Sequence, residues 1–306
     1  MDKVRTCNFC HYWEMGIPCG HCEHPNALFM FTNDDMVFRD AGKFCPLNNP
    51  EYRAEKLKDV DNIICELQHS CEKNGIRGAV VGISGGKDST IVAKLMSEVL
   101  GKENVMGVLM PNGEQKDIDD SYKVVNLLGI PYTVVNIKDA MKGLVENINL
   151  GFISIQNTDR EVKLTEPSYI NIAPRIRMTV LYAIAQSMGN GWRVIGTTNK
   201  SEEYIGWLTK WGDGGCDFEP IIDFTVTELR QFGKYLGLPI ELVDKTPVDG
   251  LTPLSDEDRI GFKYSELDEY IMFGTTGNND IDNKIARMHE YSQHKRNPIP
   301  IFKMKL

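Results

Sequence analysis

The apolar residues of this chain follow two patterns that alternate along its length. Short runs rich in valine and isoleucine, each closed by a glycine or a polar residue, predict buried parallel strands. These runs occupy residues 79–83, 105–110, 132–136 and 192–196. Helical spacing of the apolar residues predicts helices at 51–74, 89–99, 139–148, 169–188, 227–236, 264–271 and 281–291, with a further acidic helix start after 117. Strands that alternate with helices across short connections predict an α/β fold with a doubly wound parallel sheet, whose ligands bind at the carboxyl ends of the strands.

Three stretches lack both patterns and are expected to be connections. Asn48 to Pro50 has the composition of a linker, so the chain is predicted to divide into a small module at 1–50 and a main domain at 51–306. Residues 151–167 show no clear periodicity and are predicted to form a mobile loop. The stretch from Gly206 to Asp217 is too rich in glycine and aromatic residues for regular structure, and long loops of this kind usually serve a binding site.

The composition is that of an ordinary globular protein. With 306 residues, 42% of them hydrophobic and 25% charged, the chain has room for one large domain and one small one. No apolar run reaches the roughly 18 residues of a membrane span, and the first residues lack the apolar segment of a secretion signal, so a cytoplasmic location away from membranes is expected. A net charge of −9 disfavours nucleic acid as a partner and favours small molecules.

Most of the eight cysteines lie within the first 45 residues. Clustered C-x-x-C pairs without a secretion signal predict a metal site more than disulfides. Four thiolates complete a tetrahedral Zn²⁺ site, and so small a zinc-ribbon-like module has too little core to fold without one. One ligand set is the two C-x-x-C pairs, which are Cys7, Cys10, Cys19 and Cys22. The preferred set is Cys7, Cys10, Cys22 and Cys45, because it ties the end of the module to its start. Cys19, His21 and His24 remain alternative ligands, and thiols that bind no metal remain an alternative to the site.

The segment G-I-S-G-G-K-D-S at residues 82–89 connects the first strand to the helix that follows it. Adjacent glycines allow a tight turn that aims several backbone N–H groups at one anion, and the helix start adds partial positive charge. The segment is therefore predicted to bind phosphate, although it matches neither the P-loop nor the dinucleotide-binding pattern. Asp88 would repel a polyphosphate unless a cation lies between them, and Mg²⁺ is the natural mediator.

Charged residues elsewhere indicate a similar ligand. Arg175 and Arg177 near the start of a predicted helix oppose its dipole, which an anionic ligand would compensate. Glu202 lies just beyond the fourth strand and is expected to face Asp88, so that both carboxylates bind one Mg²⁺. The sequence H-K-R at 294–296 is either a solvated helix end or a clamp for an acidic ligand.

Several of these stretches resemble one enzyme family. The segment S-G-G-K-D-S at 84–89 is similar to the S-G-G-x-D-S loop of ATP pyrophosphatases, which cleave ATP between its α- and β-phosphates. Further stretches resemble the ammonia-dependent NAD synthetases of that group: M-P-N-G-E-Q at 110–115, P-R-I-R-M at 174–178, G-T-T-N-K-S-E at 196–202, T-K-W-G-D-G-G at 209–215 and H-K-R at 294–296. The resemblance covers residues 55–306 and implies an adenine nucleotide alpha hydrolase-like, Rossmann-like fold.

The resemblance also implies a reaction and a set of residues. ATP would adenylate the nicotinate carboxylate of nicotinic acid adenine dinucleotide (deamido-NAD), and ammonia would then displace AMP to give NAD. The implied ATP-binding residues are Gly82, Ile83, Ser84, Gly85, Gly86, Lys87, Asp88, Ser89, Met110 and Thr197. Asp88 and Glu202 would bind the catalytic Mg²⁺, and the residues implied for deamido-NAD are Arg175, Lys210, Asp217, His294 and Lys295. A homodimer is implied as well, and free ammonia is the expected donor because the chain has no room for the amidase domain of glutamine-dependent relatives.

Two positions depart from the family pattern. Where the family has a lysine after Pro220 that meets the ATP phosphates, this chain has F-T-V-T at 224–227, and Val248 stands where a hydroxyl residue is usual. Lys87 is the hypothetical substitute for the missing cation. A nucleotide-binding sensor without catalysis is therefore an alternative function. An RNA-modifying ATP pyrophosphatase is a second alternative, disfavoured because the first fifty residues hold more acidic than basic side chains.

Overall fold

The computed structural model describes residues 50–114, 118–157, 160–244 and 255–304. The predicted zinc ligands and Val248 lie outside these residues, so what was predicted for them stays a prediction. The domain boundary predicted at residue 50 also stays a prediction. None of the helices in the described ranges is long and apolar enough to cross a membrane.

A four-stranded parallel sheet organises the described chain. Its strands are β1 (Gly78–Gly82), β2 (Val105–Leu109), β3 (Tyr132–Val134) and β4 (Trp192–Ile195), in the spatial order β3-β2-β1-β4. Ala79 of β1 is in register with Val105 of β2 on one side and with Arg193 of β4 on the other. Each strand coincides with a predicted run except at its ends, and the predicted doubly wound α/β fold is confirmed.

Helices connect and cover the strands. They are α1 (Pro50–Leu57), α2 (Val60–Lys73), α3 (Lys87–Leu100), α4 (Ile118–Leu128), α5 (Lys138–Ile153), α6 (Glu166–Ile170), α7 (Ile172–Met188), α8 (Lys200–Ile205), α9 (Val226–Tyr235), α10 (Ile240–Val243), α11 (Asp256–Ile260), α12 (Tyr264–Phe273), α13 (Asn279–Tyr291) and α14 (Gln293–Arg296). A short 3₁₀ helix, Lys102–Asn104, leads into β2.

Both faces of the sheet are covered, because alternate residues of a strand point to opposite sides. Val81 of β1 lies in the core layer that contains Ile91 and Leu95 of α3. Val80 lies in the opposite layer, which contains Leu181 of α7. Burial on both faces explains why the strand runs are apolar throughout instead of alternating with polar residues.

The strand order produces a crevice at one end of the sheet. The chain proceeds outward from β1 through β2 to β3 and then returns to add β4 on the other side of β1. The connections that leave β1 and β4 therefore diverge, and ligands of open α/β sheets bind at such a switch point. The predicted phosphate loop follows β1, and Thr197 and Glu202 follow β4.

Several helices differ from the predicted ones. The predicted helix at 51–74 is two helices, because the Asp59 side chain caps α2 by accepting the Asn62 N–H at 3.4 Å. The predicted loop at 151–167 contains the end of α5 and the start of α6, which the Thr165 hydroxyl caps by accepting the Ser168 N–H at 3.3 Å. Helices α8, α10, α11 and α14 were not predicted, because helices this short show no periodicity.

Candidate active site

The loop after β1 is shaped by its own side chains. Gly85 has a φ of +77°, which glycine adopts without strain, and a Cβ there would lie 2.9 Å from the backbone nitrogen of Ser121. The Ser84 Oγ accepts the Gly86 N–H at 3.2 Å, and the Ser89 Oγ donates to the Gly86 carbonyl at 3.1 Å. Ser84 itself remains exposed. The first N–H groups of α3 have no intrahelical partner, so this turn aims them at whatever anion enters the crevice.

Lys87 and Asp88 form an ion pair at the start of α3. Lys87 is only 3% exposed, and its Nζ donates to the Asp88 Oδ2 at 2.7 Å. The other oxygen of this carboxylate, Oδ1, is buried and has no hydrogen-bond partner among the described residues. Since an unsatisfied buried carboxylate oxygen is costly, this atom indicates where a cation or a ligand donor would bind.

Glu202 lies on α8, the helix that follows β4. Its Oε2 accepts the Asn199 N–H at 3.3 Å, and the Asn199 Oδ1 accepts the Glu202 N–H at 3.0 Å, a capping box that fixes the carboxylate at the helix start. Burial raises the pKa of Glu202 above its ordinary range, the charge of Asp88 raises it further, and the charge of Lys87 opposes both effects. The structure thus brings together the two carboxylates that the sequence analysis paired, and the Lys87 ammonium lies beside Asp88.

Glu219 is a further carboxyl group, which the sequence analysis did not identify. Its Oε1 accepts a hydrogen bond from the Cys216 Sγ at 3.1 Å, and its Oε2 is buried without a partner in the part of the chain that the structure describes. Burial raises the pKa of Glu219 to about 7, although hydrogen bonds from Cys216 and Thr198 oppose the rise. A Cβ on Gly196 would lie 2.2 Å from its Cδ. No local pattern signals this contact, because it arises only when Phe218 bridges to β4.

Met110 and Thr197 follow the ends of β2 and β4. The Met110 Cε lies 3.3 Å from the position that a Cβ on Gly82 would take, and the Met110 carbonyl accepts the Arg177 Nε–H at 3.1 Å. Thr197 is half-buried next to the buried Thr198. Both positions implied for ATP therefore lie at the carboxyl edge of the sheet. The anionic ligand that the sequence suggested for Arg177 stays a prediction.

A second group of residues forms where three distant segments meet. Arg175 near the start of α7 donates from Nε to the Lys210 carbonyl at 3.2 Å, and the Lys210 Nζ donates to the His294 carbonyl. Lys295 donates to two backbone carbonyls of the stretch from 206 to 217, each at 2.7 Å. We call Arg175, Lys210, His294 and Lys295 the basic cluster, and the stretch Gly206 to Asp217 the glycine-rich loop. Burial lowers the pKa of Lys295.

Asp217 contacts the sheet and α7. Its Oδ2 accepts the Val194 N–H at 2.9 Å, and its Oδ1 accepts the Tyr182 hydroxyl at 3.1 Å. The carboxylate therefore fastens the end of the glycine-rich loop to β4. Trp211 in the same loop has a φ of +64° and is 58% exposed. Such a conformation is uncommon for a non-glycine residue, and residues held in it cluster at functional sites.

The position at which the resemblance expects a phosphate-binding lysine lies at the start of α9. Thr225 caps this helix in a capping box with Glu228. Val226 is 1% exposed and belongs to an apolar cluster with residues of α8 and α12, including Ile205. The side chain at this position is therefore part of the core, and the Lys87 ammonium beside Asp88 is a positive charge at the crevice.

The donor set of the crevice suits Mg²⁺. The described ranges contain no group of three or more histidine, cysteine or acidic side chains arranged to hold a metal ion. Mg²⁺, however, usually binds one or two carboxylates together with substrate phosphates and waters. Asp88 and Glu202 with the unsatisfied Asp88 Oδ1 match that donor set.

These groups together suit the binding of a polyphosphate and the neutralisation of its charge. The N–H groups of the loop after β1, the Lys87 ammonium and the carboxylate pair all lie at the switch point of the sheet. The basic cluster is attached to the loop that leaves α8, the helix of Glu202. An anionic ligand larger than a nucleotide triphosphate alone could therefore contact both groups.

Comparisons with known proteins identify the family. The family model described as NAD synthase matches residues 60–303. An NH(3)-dependent NAD(+) synthetase of Pyrococcus horikoshii is 42% identical over 217 residues, which cover 71% of this chain and 79% of that protein. Another, from Archaeoglobus fulgidus, is 36% identical over 255 residues, which cover 81% of this chain and 97% of that protein.

A solved structure agrees with the sequence comparison. The NMN synthetase from Francisella tularensis is 29% identical, superposes with a TM-score of 0.69, and matches 84% of this chain and 99% of that one. The family model spans the loop after β1, Glu202 and the basic cluster. This chain belongs to the NAD synthase family.

Proposed function

We propose that this chain is an ammonia-dependent NAD synthetase, which converts deamido-NAD, ATP and ammonia to NAD, AMP and pyrophosphate. The observation that carries the proposal is the convergence of Lys87, Asp88 and Glu202 beside the phosphate loop at the switch point. Donors and charges fixed in a partly dry crevice can stabilise the charge that develops when pyrophosphate leaves. The similarity to curated relatives with this activity supports the same reaction.

The proposed reaction needs no nucleophilic side chain. In the first step a nicotinate carboxylate oxygen attacks the α-phosphorus of ATP, and the bond to the bridging oxygen breaks as pyrophosphate leaves. In the second step ammonia attacks the acyl carbon, a proton is lost, and AMP leaves with the former carboxylate oxygen. A free carboxylate is a poor electrophile because oxide is a poor leaving group, whereas AMP is a good one. The work of the protein is positioning and charge neutralisation.

We assign the ATP phosphates to the loop after β1 and the strand ends beside it. The residues of this assignment are Gly82, Ile83, Ser84, Gly85, Gly86, Lys87, Asp88, Ser89, Met110 and Thr197. The exposure of Ser84 and the unpaired N–H groups of the helix start support it. In other family members a lysine after Pro220 supplies positive charge to the phosphates, but in this chain Val226 occupies that region and is buried in the core. Lys87 would supply the positive charge in its place.

Asp88 and Glu202 are the residues that would hold Mg²⁺. The ion, when bound, would neutralise phosphate charge and polarise the α-phosphate. The unsatisfied Asp88 Oδ1 supports this assignment, because no other group in the described residues satisfies it. The Lys87 ammonium offsets part of the repulsion between the two carboxylates when the cation is absent.

We assign deamido-NAD to the basic cluster and Asp217. Backbone contacts hold the cluster in place: Lys210 donates to the His294 carbonyl, and Lys295 donates to the glycine-rich loop. The donor of nitrogen is free ammonia.

We further propose that the active protein is a cytoplasmic homodimer. Large apolar side chains on α5 support an interface there, because Leu144, Leu150 and Ile153 are 44%, 64% and 84% exposed. Light scattering should give twice the chain mass, and Ile153→Asp should shift the protein toward the monomer. A monomeric wild-type protein with full activity would contradict this proposal.

The zinc module is a separate proposal. Cys7, Cys10, Cys22 and Cys45 would bind one Zn²⁺. Metal analysis of freshly purified protein that has never met a chelator should give one zinc per chain. Loss of that zinc in Cys45→Ser, but not in Cys19→Ser, would separate the preferred ligand set from the two C-x-x-C pairs.

The experiment that tests the proposed function is an assay of NAD formation from deamido-NAD, ATP, Mg²⁺ and ammonium. Asp88→Asn should lower kcat by a factor on the order of 100 to 1,000, because it removes half of the charge that binds the cation. Replacement of ammonium by glutamine should abolish the reaction. Nicotinic acid mononucleotide serves as a competing acid substrate, because the Francisella tularensis relative is an NMN synthetase.

Each outcome of this assay selects one function. Turnover of deamido-NAD that Asp88→Asn abolishes supports the proposal. Preference for the mononucleotide would replace the substrate but keep the chemistry. Binding of ATP without turnover of either acid would favour the nucleotide sensor, and Val226 would then be its explanation.

A further inference from the structure

Arg296, the last residue of α14, belongs to the H-K-R sequence but to neither group of residues assigned above. Its side chain is charged and yet only 10% exposed. Its Nη1 donates to the Glu203 carbonyl at 2.8 Å and to the Tyr204 carbonyl, and its Nη2 donates to the His289 carbonyl. One guanidinium therefore joins the end of α8 to the end of α13.

These contacts fall on a helix that is too short to hold itself in place. Helix α8 has 6 residues, and isolated helices shorter than about 12–15 residues are marginal in water. The carbonyls of the last turn of a helix lack intrahelical partners, and a cation at that end also interacts favourably with the helix dipole. Arg296 supplies both the donors and the charge. The position of α8 therefore depends on this contact with α14.

The corner between α13 and α14 packs directly on the end of α8. The His289 Nδ1 lies 2.7 Å from the Tyr204 carbonyl, and since a carbonyl only accepts, Nδ1 is the protonated nitrogen. The imidazole also stacks on the Tyr204 ring, with 4.2 Å between the ring centroids. A Cβ on Gly206, the residue that ends α8, would lie 2.1 Å from the Ser292 Cβ. A shift of this corner would therefore move α8 as well.

The functional residue that α8 carries is Glu202. It directly precedes Glu203, whose carbonyl Arg296 holds, and the Asn199 Oδ1 accepts its N–H at 3.0 Å at the start of the helix. Helix α8 is thus fixed at its start by Asn199 and at its end by Arg296. The Glu202 carboxylate lies between these two points, so its place in the crevice depends on both.

We infer that Arg296 is a positioning residue, whose guanidinium fixes α8 against α13 and so holds the Glu202 carboxylate where it meets the divalent cation together with Asp88. The inference rests on the proposed function, because that function supplies the cation. The shape of the guanidinium is essential to the role. Its donors form a planar fork that reaches carbonyls of two helices at once, whereas a lysine ammonium is a point charge on a flexible stem. Arg296 itself contacts neither ATP nor the dinucleotide in this assignment.

Binding of Mn²⁺, measured by electron paramagnetic resonance on the full-length protein, tests the inference without turnover. Arg296→Met removes the donors, so Mn²⁺ affinity should fall about 10-fold as the Glu202 carboxylate loses its fixed position. Arg296→Lys should recover little of this affinity, because it restores the charge without the fork. The exposed Arg287 of α13 offers a matched control, and Arg287→Met should bind Mn²⁺ as the wild type does.

A second control separates positioning from a general loss of stability. Leu57→Ala removes a buried side chain of α1, so it should lower the melting temperature at least as much as Arg296→Met does. Its Mn²⁺ affinity should nevertheless stay within twofold of wild type. Equal weakening of Mn²⁺ binding in Leu57→Ala and Arg296→Met would assign the effect to lost stability and overturn the inference.

The remaining outcomes distinguish the inference from the proposed function. Mn²⁺ affinity within twofold of wild type in Arg296→Met or in Arg296→Lys, while Asp88→Asn binds weakly, would overturn the inference alone. Unchanged Mn²⁺ binding by Asp88→Asn would overturn the proposed carboxylate pair and the inference with it.

Discussion

The loop after β1 and the basic cluster are built in opposite ways. The hydrogen bonds that shape the loop join residues five or fewer positions apart, such as the Ser84 Oγ and the Ser89 Oγ at 3.1 Å. The contacts of the basic cluster join residues 35 positions apart, as in Arg175 with Lys210, or 84 positions apart, as in Lys210 with His294. One is a local motif, whereas the other exists only after the fold has assembled.

This difference predicts different failures. The loop depends on the conformation of a few backbone bonds, so a change there should abolish ATP use. The basic cluster depends on the contact between α14 and the glycine-rich loop, so a change there should loosen the dinucleotide and leave ATP binding intact. Each of the following predictions tests this division, from the largest expected effect to the smallest.

Gly85→Ala should have the largest effect. The new Cβ would meet the backbone at the start of α4 at 2.9 Å, and the φ of +77° would be strained for alanine. We expect a loss of about 2–4 kcal/mol in the free energy of unfolding and a loss of ATP binding, measured by denaturant unfolding and calorimetry.

Gly86→Ala is the matched control for this change. Gly86 has a φ of −87°, and its Cβ would meet only the Ser84 Oγ, at 3.3 Å. Gly86→Ala should lower the free energy of unfolding by less than about 1 kcal/mol. Equal losses in the two variants would show that the turn geometry does not govern the loop.

Lys87→Gln should have the next largest effect, because it removes the buried ammonium beside Asp88. We expect kcat/KM for ATP to fall about 10- to 100-fold, which corresponds to about 1.4–2.8 kcal/mol, while KM for deamido-NAD changes little. Lys94→Gln on the outer part of α3 is the control and should be neutral. Unchanged kcat and KM for ATP in Lys87→Gln would disprove the role of Lys87 as the substitute cation.

Lys295→Met tests the other side of the comparison. It removes donors to the Gly206 and Leu208 carbonyls, so the glycine-rich loop should be held less firmly. Steady-state kinetics should show KM for deamido-NAD about 10-fold higher with KM for ATP unchanged, and stability should fall by about 1–3 kcal/mol. The exposed Lys303→Met should change neither. A rise in KM for ATP as large as that for the dinucleotide would contradict the division into two regions.

Glu219 should give the smallest effect, seen in the pH dependence of stability. Because its pKa is raised from 4.5 to about 7 in the folded protein, folding favours its protonated form. Its contribution to stability is therefore fully present below pH 4.5 and is lost as the pH rises through about 7. Glu219→Gln should flatten this fall by about 1–2 kcal/mol after allowance for partial exposure.

Urea unfolding of the metal-free protein between pH 5 and pH 8 measures this slope. Glu202, whose pKa is also raised, should add to this fall in the free energy of unfolding with pH, and bound Mg²⁺ should remove that contribution. The contribution of Glu219 should be the same with and without Mg²⁺. The same slope in Glu219→Gln and wild type would contradict the assignment.

The strands and the glycine turn after β1 were predicted well for one physical reason. Buried parallel strands are apolar along their whole length, and a glycine turn between a strand and a helix is shaped by neighbours in sequence. The pairing of Asp88 with Glu202 followed from the rule that ligand groups gather at the carboxyl ends of strands.

Other features of the structure were not predicted from the sequence. The break between α1 and α2 depends on one capping side chain, Asp59, within a continuous apolar pattern. The assignment of Asp217 to the dinucleotide stays a prediction, and the structure adds that its carboxylate fastens the loop to β4 through the Val194 N–H. No spacing in the sequence indicates that contact.

The sequence by itself therefore determined the sheet, the turn at Gly85 and the identity of the charged residues that enter the crevice. Only the tertiary structure decided that Lys87 is buried against Asp88, that Glu219 reaches the end of β4, and that the buried Tyr264 hydroxyl has no partner among the described residues. The physical reason is that backbone conformation and strand burial depend on neighbouring residues, whereas desolvation and unmet hydrogen bonds depend on which distant segments exclude water from a group.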